Sequence, residues 1–224
     1  MRLKSVSASL KGSMSDCNQD ACLALSSKLL YSVADGVGGG PSGELASRAI
    51  VDTLFKRLSE IEILEEDIEE SIAYANKLIY EQATSLALSG MASTLVLAWW
   101  SKERIICFHV GDSRIYRVRD GVIERLTKDH TKLITKPDLS EKWVVTRALG
   151  IKEDVVADKT VWDWKAGDVL ALMSDGVSDV LSDETIGSIL SEPGIPMIEK
   201  ANSLLRVSEE NGSKDDKTVV LVFG

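Results

Sequence analysis

Four aspartates of this sequence lie where an apolar, strand-like run meets a turn: Asp35, Asp112, Asp175 and Asp215. Glycine stands directly beside three of them, before Asp112 and after both Asp35 and Asp175. Ionised carboxylates that are brought together repel one another unless a cation lies between them. Hard divalent cations take oxygen ligands of this kind. The sequence therefore predicts that the fold gathers these acids around divalent ions.

The strongest local signal is the segment after Asp35, where four glycines follow within five residues, Gly36 and 38–40. Glycine leaves the backbone free for the close approach of a ligand. A nucleotide-binding phosphate loop is disfavoured because no lysine follows and the pattern G-x-x-x-x-G-K-[ST] is absent. A carboxylate followed by bare carbonyl groups suits a hard cation better.

Composition sets the broad class of protein. The chain has 224 residues, a formal net charge of −9 and 44% hydrophobic residues, which is ordinary for one globular domain over 1–224. The negative charge disfavours nucleic acid and anionic membranes as partners. Three cysteines without metal-finger spacing, no signal-peptide pattern and no long apolar run predict a cytoplasmic protein with reduced thiols. We expect it to be a monomer.

Hydrophobic periodicity gives the order of elements. Period-2 alternation over 3–10 predicts a strand with Val6, Ala8 and Leu10 facing the core, and a hairpin follows over 21–35. The spacing of apolar residues predicts two pairs of helices, over 45–58 and 64–86 and over 183–191 and 195–211. Between the two pairs it predicts strands at 94–100, 104–110, 114–119, 122–126, 155–164 and 168–173, and a last strand follows at 218–223. Residues 127–146 are mostly polar and remain unassigned. Helices in pairs between hairpin-linked strands indicate an α+β protein with antiparallel sheets.

Six motifs together resemble those of one family: Asn-Gln-Asp at 18–20, Ala-Asp-Gly-Val-Gly-Gly at 34–39, Val-Gly-Asp-Ser-Arg at 110–114, Val-Thr-Arg-Ala-Leu-Gly at 145–150, Ser-Asp-Gly-Val at 174–177 and Asp-Asp-Lys-Thr-Val at 215–219. In this order they resemble the metal-dependent serine/threonine protein phosphatases (the type 2C or PPM family) in their short bacterial form. The resemblance covers essentially the whole chain, and six ordered motifs are far more specific than any one of them.

The resemblance implies a four-layer α-β-β-α sandwich, two antiparallel sheets flanked by helix pairs. It also implies two Mn²⁺ or Mg²⁺ ions and a third, weaker one. By motif, Asp35 would bridge the two ions, Asp175 and Asp215 would complete one, the Gly36 carbonyl would bind the other, Asp20 would hold its water ligands, and Asp112 would help hold the third. The implied reaction is hydrolysis of phosphoserine and phosphothreonine in proteins, the substrates of a serine/threonine kinase, by a metal-activated water without a phosphoenzyme.

The sequence departs from the family pattern in the groups that handle substrate. The family usually carries a phosphate-binding arginine shortly before the Asn-x-Asp motif, but the turn 13–16 here has none. The histidine that often follows the Asp-Gly pair is replaced by Val37. His130 is expected to be structural, His109 to belong to the core, and the segment between His130 and Arg147 is short for the family's flap beside the active site.

Two other functions stay open from the residues alone. A catalytically impaired relative could act as a regulatory or binding module, which the missing arginine favours. Retention of Asp35, Asp175 and Asp215 counts against it, because a module has no need of clustered acids. A metal-dependent phosphohydrolase acting on a small molecule is the second alternative.

Overall fold

The computed structural model describes residues 3–14, 16–37, 41–85, 90–135 and 141–224. The predicted glycine run 38–40 and the predicted helix end at Leu86 lie outside these ranges. No described helix combines the length and the apolar character needed to cross a membrane.

The described residues form thirteen strands and five α-helices. The strands are β1 Lys4–Leu10, β2 Asp20–Leu25, β3 Leu30–Val37, β4 Ala92–Ser93, β5 Leu95–Ser101, β6 Arg104–Val110, β7 Arg114–Arg119, β8 Val122–Arg125, β9 Thr131–Thr135, β10 Glu141–Val145, β11 Asp158–Asp163, β12 Val169–Met173 and β13 Lys217–Phe223. The helices are α1 Pro41–Leu58, α2 Glu65–Ser85, α3 Asp175–Ser178, α4 Asp183–Ser191 and α5 Met197–Glu210.

Two antiparallel sheets organise the chain. The first has the strand order β11-β6-β5-β3-β2, with β4 paired to β3, and the second has the order β1-β13-β12-β7-β8. Strands β9 and β10 form a separate two-stranded hairpin. In the first sheet the pairs β2–β3 and β5–β6 have short connections, whereas β1 and β13, neighbours in the second sheet, are about 200 residues apart in the sequence.

Three hydrophobic layers hold helices and sheets together. Helices α1 and α2 pack on the outer face of the first sheet through residues such as Leu54 and Ile68. In β13, Val219 and Leu221 face α4 and α5, while Val220 and Val222 belong to the layer between the sheets. This alternation is the period-2 pattern of a strand buried on both faces. The layers are therefore helix, sheet, sheet and helix, and the predicted α-β-β-α sandwich is confirmed.

The predicted elements agree with the structure within about four residues, but the short strand β4 and the four-residue helix α3 were not predicted, and two further points are corrected. Leu10 was predicted to face the core, but it is 39% exposed, because it is the last residue of an edge strand. The unassigned stretch 127–146 contains the β9–β10 hairpin, in which cross-strand pairs such as Trp143 opposite Leu133 replace a buried core. His109 is buried, as predicted.

Candidate metal centre

The antiparallel order of the second sheet brings three of the predicted acids to one edge. Strand β12 lies between β13 and β7, so the end of β12 meets the starts of both neighbours. Asp175 follows the end of β12, Asp215 precedes β13 and Asp112 precedes β7. Residues more than 100 positions apart in the chain therefore approach one another because of strand order alone.

The first sheet supplies the opposite side of this edge. Asp35 lies near the end of β3, and its register partner across β2 is Asp20. The Thr94 amide donates to the Asp35 carbonyl at 2.8 Å, which fixes the backbone there. Gly36 lies directly against α1, because a Cβ at this position would come within 2.3 Å of the Gly43 carbonyl oxygen. Only glycine allows the helix to approach so closely behind the acid.

Gly111 lies beside the acids, in the connection between β6 of the first sheet and β7 of the second. It has φ +111°, and a Cβ there would lie 2.6 Å from the side chain of Thr94. The Thr94 hydroxyl is also 2.7 Å from the Ser113 hydroxyl, across from the same turn. Asp112, between Gly111 and Ser113, is thereby held in a buried position at the crossing.

These acids line one cleft of about 980 Å³. The cleft contains six carboxyl groups: Asp35, Asp112, Asp129, Asp175, Asp179 and Asp215. Gly36 lines it too. Asp20 lies behind Asp35 and accepts a hydrogen bond of 2.7 Å from the Ser174 hydroxyl, while its other oxygen, Oδ1, is buried without a hydrogen-bond partner. Four segments distant in sequence are thus brought to one place.

Burial and mutual repulsion raise the pKa values of these carboxyl groups. Burial raises the pKa of Asp175 to about 8, and the carboxylates of Asp112 and Asp215 add to the effect. Asp35 has a pKa well above its ordinary value, first because it is desolvated and then because of Asp175, to which it is hydrogen-bonded. Burial also raises the pKa of Asp20 to about 6. Such a cluster is electrostatically unfavourable in the absence of a positive charge.

The donor set fits hard divalent cations. It consists of carboxylate oxygens and a glycine carbonyl, and one buried carboxylate oxygen of Asp20 has no hydrogen-bond donor. Among the residues that the structure describes, no three acidic, histidine or cysteine side chains are already placed as a group that could hold a metal ion. Asp35 and Asp175 are hydrogen-bonded to each other, which requires a proton on one of the two carboxyl groups. Ion binding would require the loss of that proton.

Arg114 forms an ion-pair network that the sequence analysis missed. Its Nη2 donates to Asp129 at 2.8 Å and to Asp179 at 2.7 Å, its Nε donates to Asp129, and its Nη1 donates to the Ser178 carbonyl. Asp129 is further paired with Arg125. The network ties the start of β7 to the end of α3, the short helix that begins with Asp175. Arg114 lies within a recognised motif, but nothing in the spacing indicates its partners.

Asp216 fixes the turn that precedes β2. Its carboxylate accepts the Gly12 amide at 2.7 Å and the Gln19 amide at 2.8 Å, so that Gly12 and Gln19 are both held against the start of β13. In the same region the Ser213 hydroxyl donates to the Gly176 carbonyl at 2.6 Å. Asp216 is buried, and it acts as a structural neighbour of Asp215.

His130 connects the crossing turn to the base of the hairpin. Its Nδ1 accepts the Gly111 amide at 3.0 Å, and its Nε2 lies 3.0 Å from Asp158. Its ring stacks on His109 at a centroid distance of 4.4 Å, and burial lowers the pKa of His109 to about 4. Because His130 is absent from the lining of the cleft, these contacts favour the structural role expected from the sequence.

The β9–β10 hairpin forms one wall of the cleft. Lys142, Trp143, Val144 and Val145 of β10 all line it, and Trp143 is 62% exposed. The sequence analysis left this segment unassigned. Two short runs rich in β-branched and aromatic residues flank the turn signal Pro-Asp at 137–138, and this pattern could have identified the hairpin.

The comparisons with known proteins agree with this fold and cleft. A family model described as protein phosphatase 2C matches residues 13–216. The chain belongs to this family, that of the metal-dependent serine/threonine protein phosphatases, and it is an enzyme of the protein phosphatase class.

Within the family, its relatives are bacterial phosphatases. The serine/threonine phosphatase stp of Listeria innocua serovar 6a is 32% identical over 208 residues, which cover 85% of this chain and 82% of that protein. PppA of Pseudomonas aeruginosa, a regulatory component of T6SS, has a structure with a TM-score of 0.89 and 30% identity, covering 100% of this chain and 98% of that one. The catalytic domain of the phosphatase PstP, solved with 2 manganese ions, gives a TM-score of 0.84 at 30% identity, covering 99% and 97%.

Proposed function

We propose that this protein hydrolyses phosphoserine and phosphothreonine in phosphorylated proteins, with Mn²⁺ or Mg²⁺ held by the carboxylates of the cleft. The observation that carries the proposal is the convergence of Asp35, Asp112, Asp175 and Asp215 in one cleft despite the repulsion between them. Membership of the phosphatase family and the manganese-bound PstP neighbour support the same conclusion.

We assign the site residues as the motifs suggest. Asp35 would lie between two ions, because it contacts Asp175 and is backed by Asp20. Asp175 and Asp215, at adjacent ends of β12 and β13, would complete one ion. The Gly36 carbonyl would bind the other, with Asp20 holding its water ligands; Asp112 would help hold a third, weaker ion.

Bound divalent ions supply Lewis acidity, which lowers the pKa of water and offsets charge on the phosphoryl oxygens. The carboxylates of the chain hold the ions, and the proton shared by Asp35 and Asp175 must leave when they do so. No phosphoenzyme is required. The thiols support this, because burial raises the pKa of Cys107 to about 12 and of Cys22 above its ordinary value, which makes both poor nucleophiles.

Two competing functions are separable by experiment. A regulatory module without turnover is favoured only by the absence of an arginine from the turn 13–16. A small-molecule phosphohydrolase would use the same carboxylates on a different substrate. We favour proteins as substrates because the exposed Trp143 on the β9–β10 wall of the cleft can contact a polypeptide.

The test is hydrolysis of p-nitrophenyl phosphate and of a phosphothreonine peptide, with Mn²⁺, with Mg²⁺ and with EDTA. We expect metal-dependent turnover of both substrates, reversible loss in EDTA, and loss of activity in Asp35→Asn with the fold retained by circular dichroism. Absence of turnover at every metal concentration would favour the regulatory module. Turnover of small phosphate esters alone would favour the small-molecule enzyme, and near wild-type activity of Asp35→Asn would overturn the site assignment.

The cellular setting is proposed from the same features. We propose a monomeric, single-domain enzyme over 1–224 that acts in the cytoplasm on the products of a serine/threonine kinase. Within the described residues Cys17, Cys22 and Cys107 form no disulfide bond, as is usual in a reducing compartment. One unfolding transition and a monomer mass by light scattering would support the domain and oligomer assignments.

A further inference from the structure

The charge of the cleft raises the question of what binds the substrate's phosphate. A phosphate monoester carries close to two negative charges at neutral pH, and the cleft already contains six carboxyl groups. Bound ions offset the charge of those carboxyl groups, but a family member usually adds an arginine from the turn 13–16, and no basic residue stands there. A basic side chain elsewhere in the cleft would compensate for the missing arginine.

Arg114 is the first candidate because it lines the cleft, but its donors are already used. They are directed at the carboxylates of Asp129 and Asp179 and at the Ser178 carbonyl, and the side chain is only 15% exposed. Turning it toward a phosphate would leave Asp129 without its main partner. Arg114 is therefore committed to the structure.

The nearby lysines at the turn and at the start of β13 are engaged as well. Lys11 donates to the Gly12 carbonyl at 3.1 Å. Lys217 is fully buried and donates to the Asp215 carbonyl at 2.9 Å, and it does not line the cleft. Neither ammonium group is presented to a substrate.

Lys142 differs from all of these. Its side chain is exposed and lines the cleft from β10, and its ammonium group forms no ion pair or hydrogen bond with a residue in the described ranges. The hairpin that carries it is a separate two-stranded sheet. Its neighbour Trp143 provides an apolar surface beside the charge.

We propose that Lys142 binds the phosphoryl group of the substrate and takes the place of the absent arginine. This proposal rests on the proposed phosphatase function. It assigns a substrate-binding cation to the hairpin wall of the cleft.

The test compares Lys142→Ala and Lys142→Arg with Lys132→Ala. Lys132 lies on β9 of the same hairpin, is also exposed, and does not line the cleft, so its replacement is a matched control for loss of one hairpin lysine. The measurements are kcat and KM for p-nitrophenyl phosphate with Mn²⁺, and the Kd of inorganic phosphate by calorimetry on the Mn²⁺-loaded protein. Circular dichroism and Mn²⁺ affinity report on the fold and on the metal site.

For Lys142→Ala we expect KM and the phosphate Kd to rise together by about 10- to 100-fold, the effect of one hydrogen bond to a charged group. Mn²⁺ affinity should be unchanged. Lys142→Arg should restore both constants to within about threefold of wild type because it keeps the charge, and Lys132→Ala should resemble wild type.

Equal phosphate affinity in Lys142→Ala and Lys132→Ala would overturn the proposal. Failure of the phosphatase function is distinguishable, because phosphate binding by calorimetry does not depend on turnover. If the protein lacks activity but phosphate binding still depends on Lys142, only the catalytic function is wrong.

Discussion

Replacing Asp175 by asparagine should stabilise the metal-free protein while removing its response to metal. The side chain keeps its size, so packing is retained and only the charge changes. Asp175 has a pKa of about 8 because it is desolvated and lies near Asp112 and Asp215. The folded state therefore holds a proton that the unfolded state has lost at neutral pH, and stability falls as pH rises from about 4 through 8.

The magnitude follows from the pKa difference. Raising the pKa from 3.8 to about 8 destabilises the folded protein at pH 8 by at most about 5 kcal/mol, at about 1.4 kcal/mol per pKa unit. Asp35 shares the proton, so we expect about half of this, or about 2–3 kcal/mol. The favourable position of Asp175 at the start of α3 opposes the gain by less than about 1 kcal/mol. The unfavourable burial of the Asp175 charge, to which repulsion from Asp112 and Asp215 adds, is the larger effect.

The assay is thermal unfolding in EDTA at pH 8 and pH 5, then with Mn²⁺. In EDTA at pH 8, Asp175→Asn should unfold about 5–10 °C above wild type, from about 2–4 °C per kcal/mol for a chain of this size. The difference should shrink at pH 5, where the wild-type carboxyl is protonated in the folded state. Mn²⁺ should raise the Tm of wild type much more than that of the variant.

The control is Asp154→Asn, which removes an exposed carboxylate away from the cleft and should leave the Tm near wild type in every condition. If Asp175→Asn were less stable than wild type in EDTA at pH 8, the claim that the buried charge of Asp175 destabilises the metal-free protein would be refuted. An undiminished Mn²⁺ response would refute the role of Asp175 as a ligand.

Two further changes test the framework around the cleft by urea unfolding. Arg114→Met should destabilise the protein by about 3 kcal/mol, because it leaves the mostly buried Asp129 without its main ion-pair partner. The control Arg206→Met removes an exposed ion pair within α5 and should destabilise the protein by less than about 0.5 kcal/mol. A small effect in Arg114→Met would mean that the network is not stabilising. Gly111→Ala should cost about 3 kcal/mol from its positive φ and the overlap with Thr94. Gly121→Ala has a positive φ but open space, so it should cost only about 1–2 kcal/mol, and equal losses would rule out the steric argument.

The parts of the fold that were predictable are those with strong local periodicity. The stripes of α1 and α2 and the apolar runs of β5 and β12 are each long enough to identify the element and its buried face. The strand-end position of the acids was visible for the same reason, since an abrupt change from apolar to acidic residues marks the end of a buried strand. Their convergence was a physical inference from charge, and strand order explains it.

The features that escaped prediction depend on long-range contacts. The partners of Arg114 lie 15 and 65 positions away, and no periodicity records such pairs. The hairpin β9–β10 has little buried surface, so it lacks the alternation of a half-buried strand. Leu10 alternates correctly along β1, but it ends a strand at the edge of the sheet and is exposed there. Helix α3 has only four residues, too few for a repeat.

The placement of β13 between β1 and β12 has a consequence during synthesis. During synthesis β1 leaves the ribosome before β13, and it lacks this hydrogen-bonding neighbour until about 200 further residues have been added. Asp215 emerges just ahead of β13, after every other acid of the cleft. A nascent chain therefore carries an incomplete cluster of acids until Asp215 and β13 have been released and β13 has been inserted between β1 and β12.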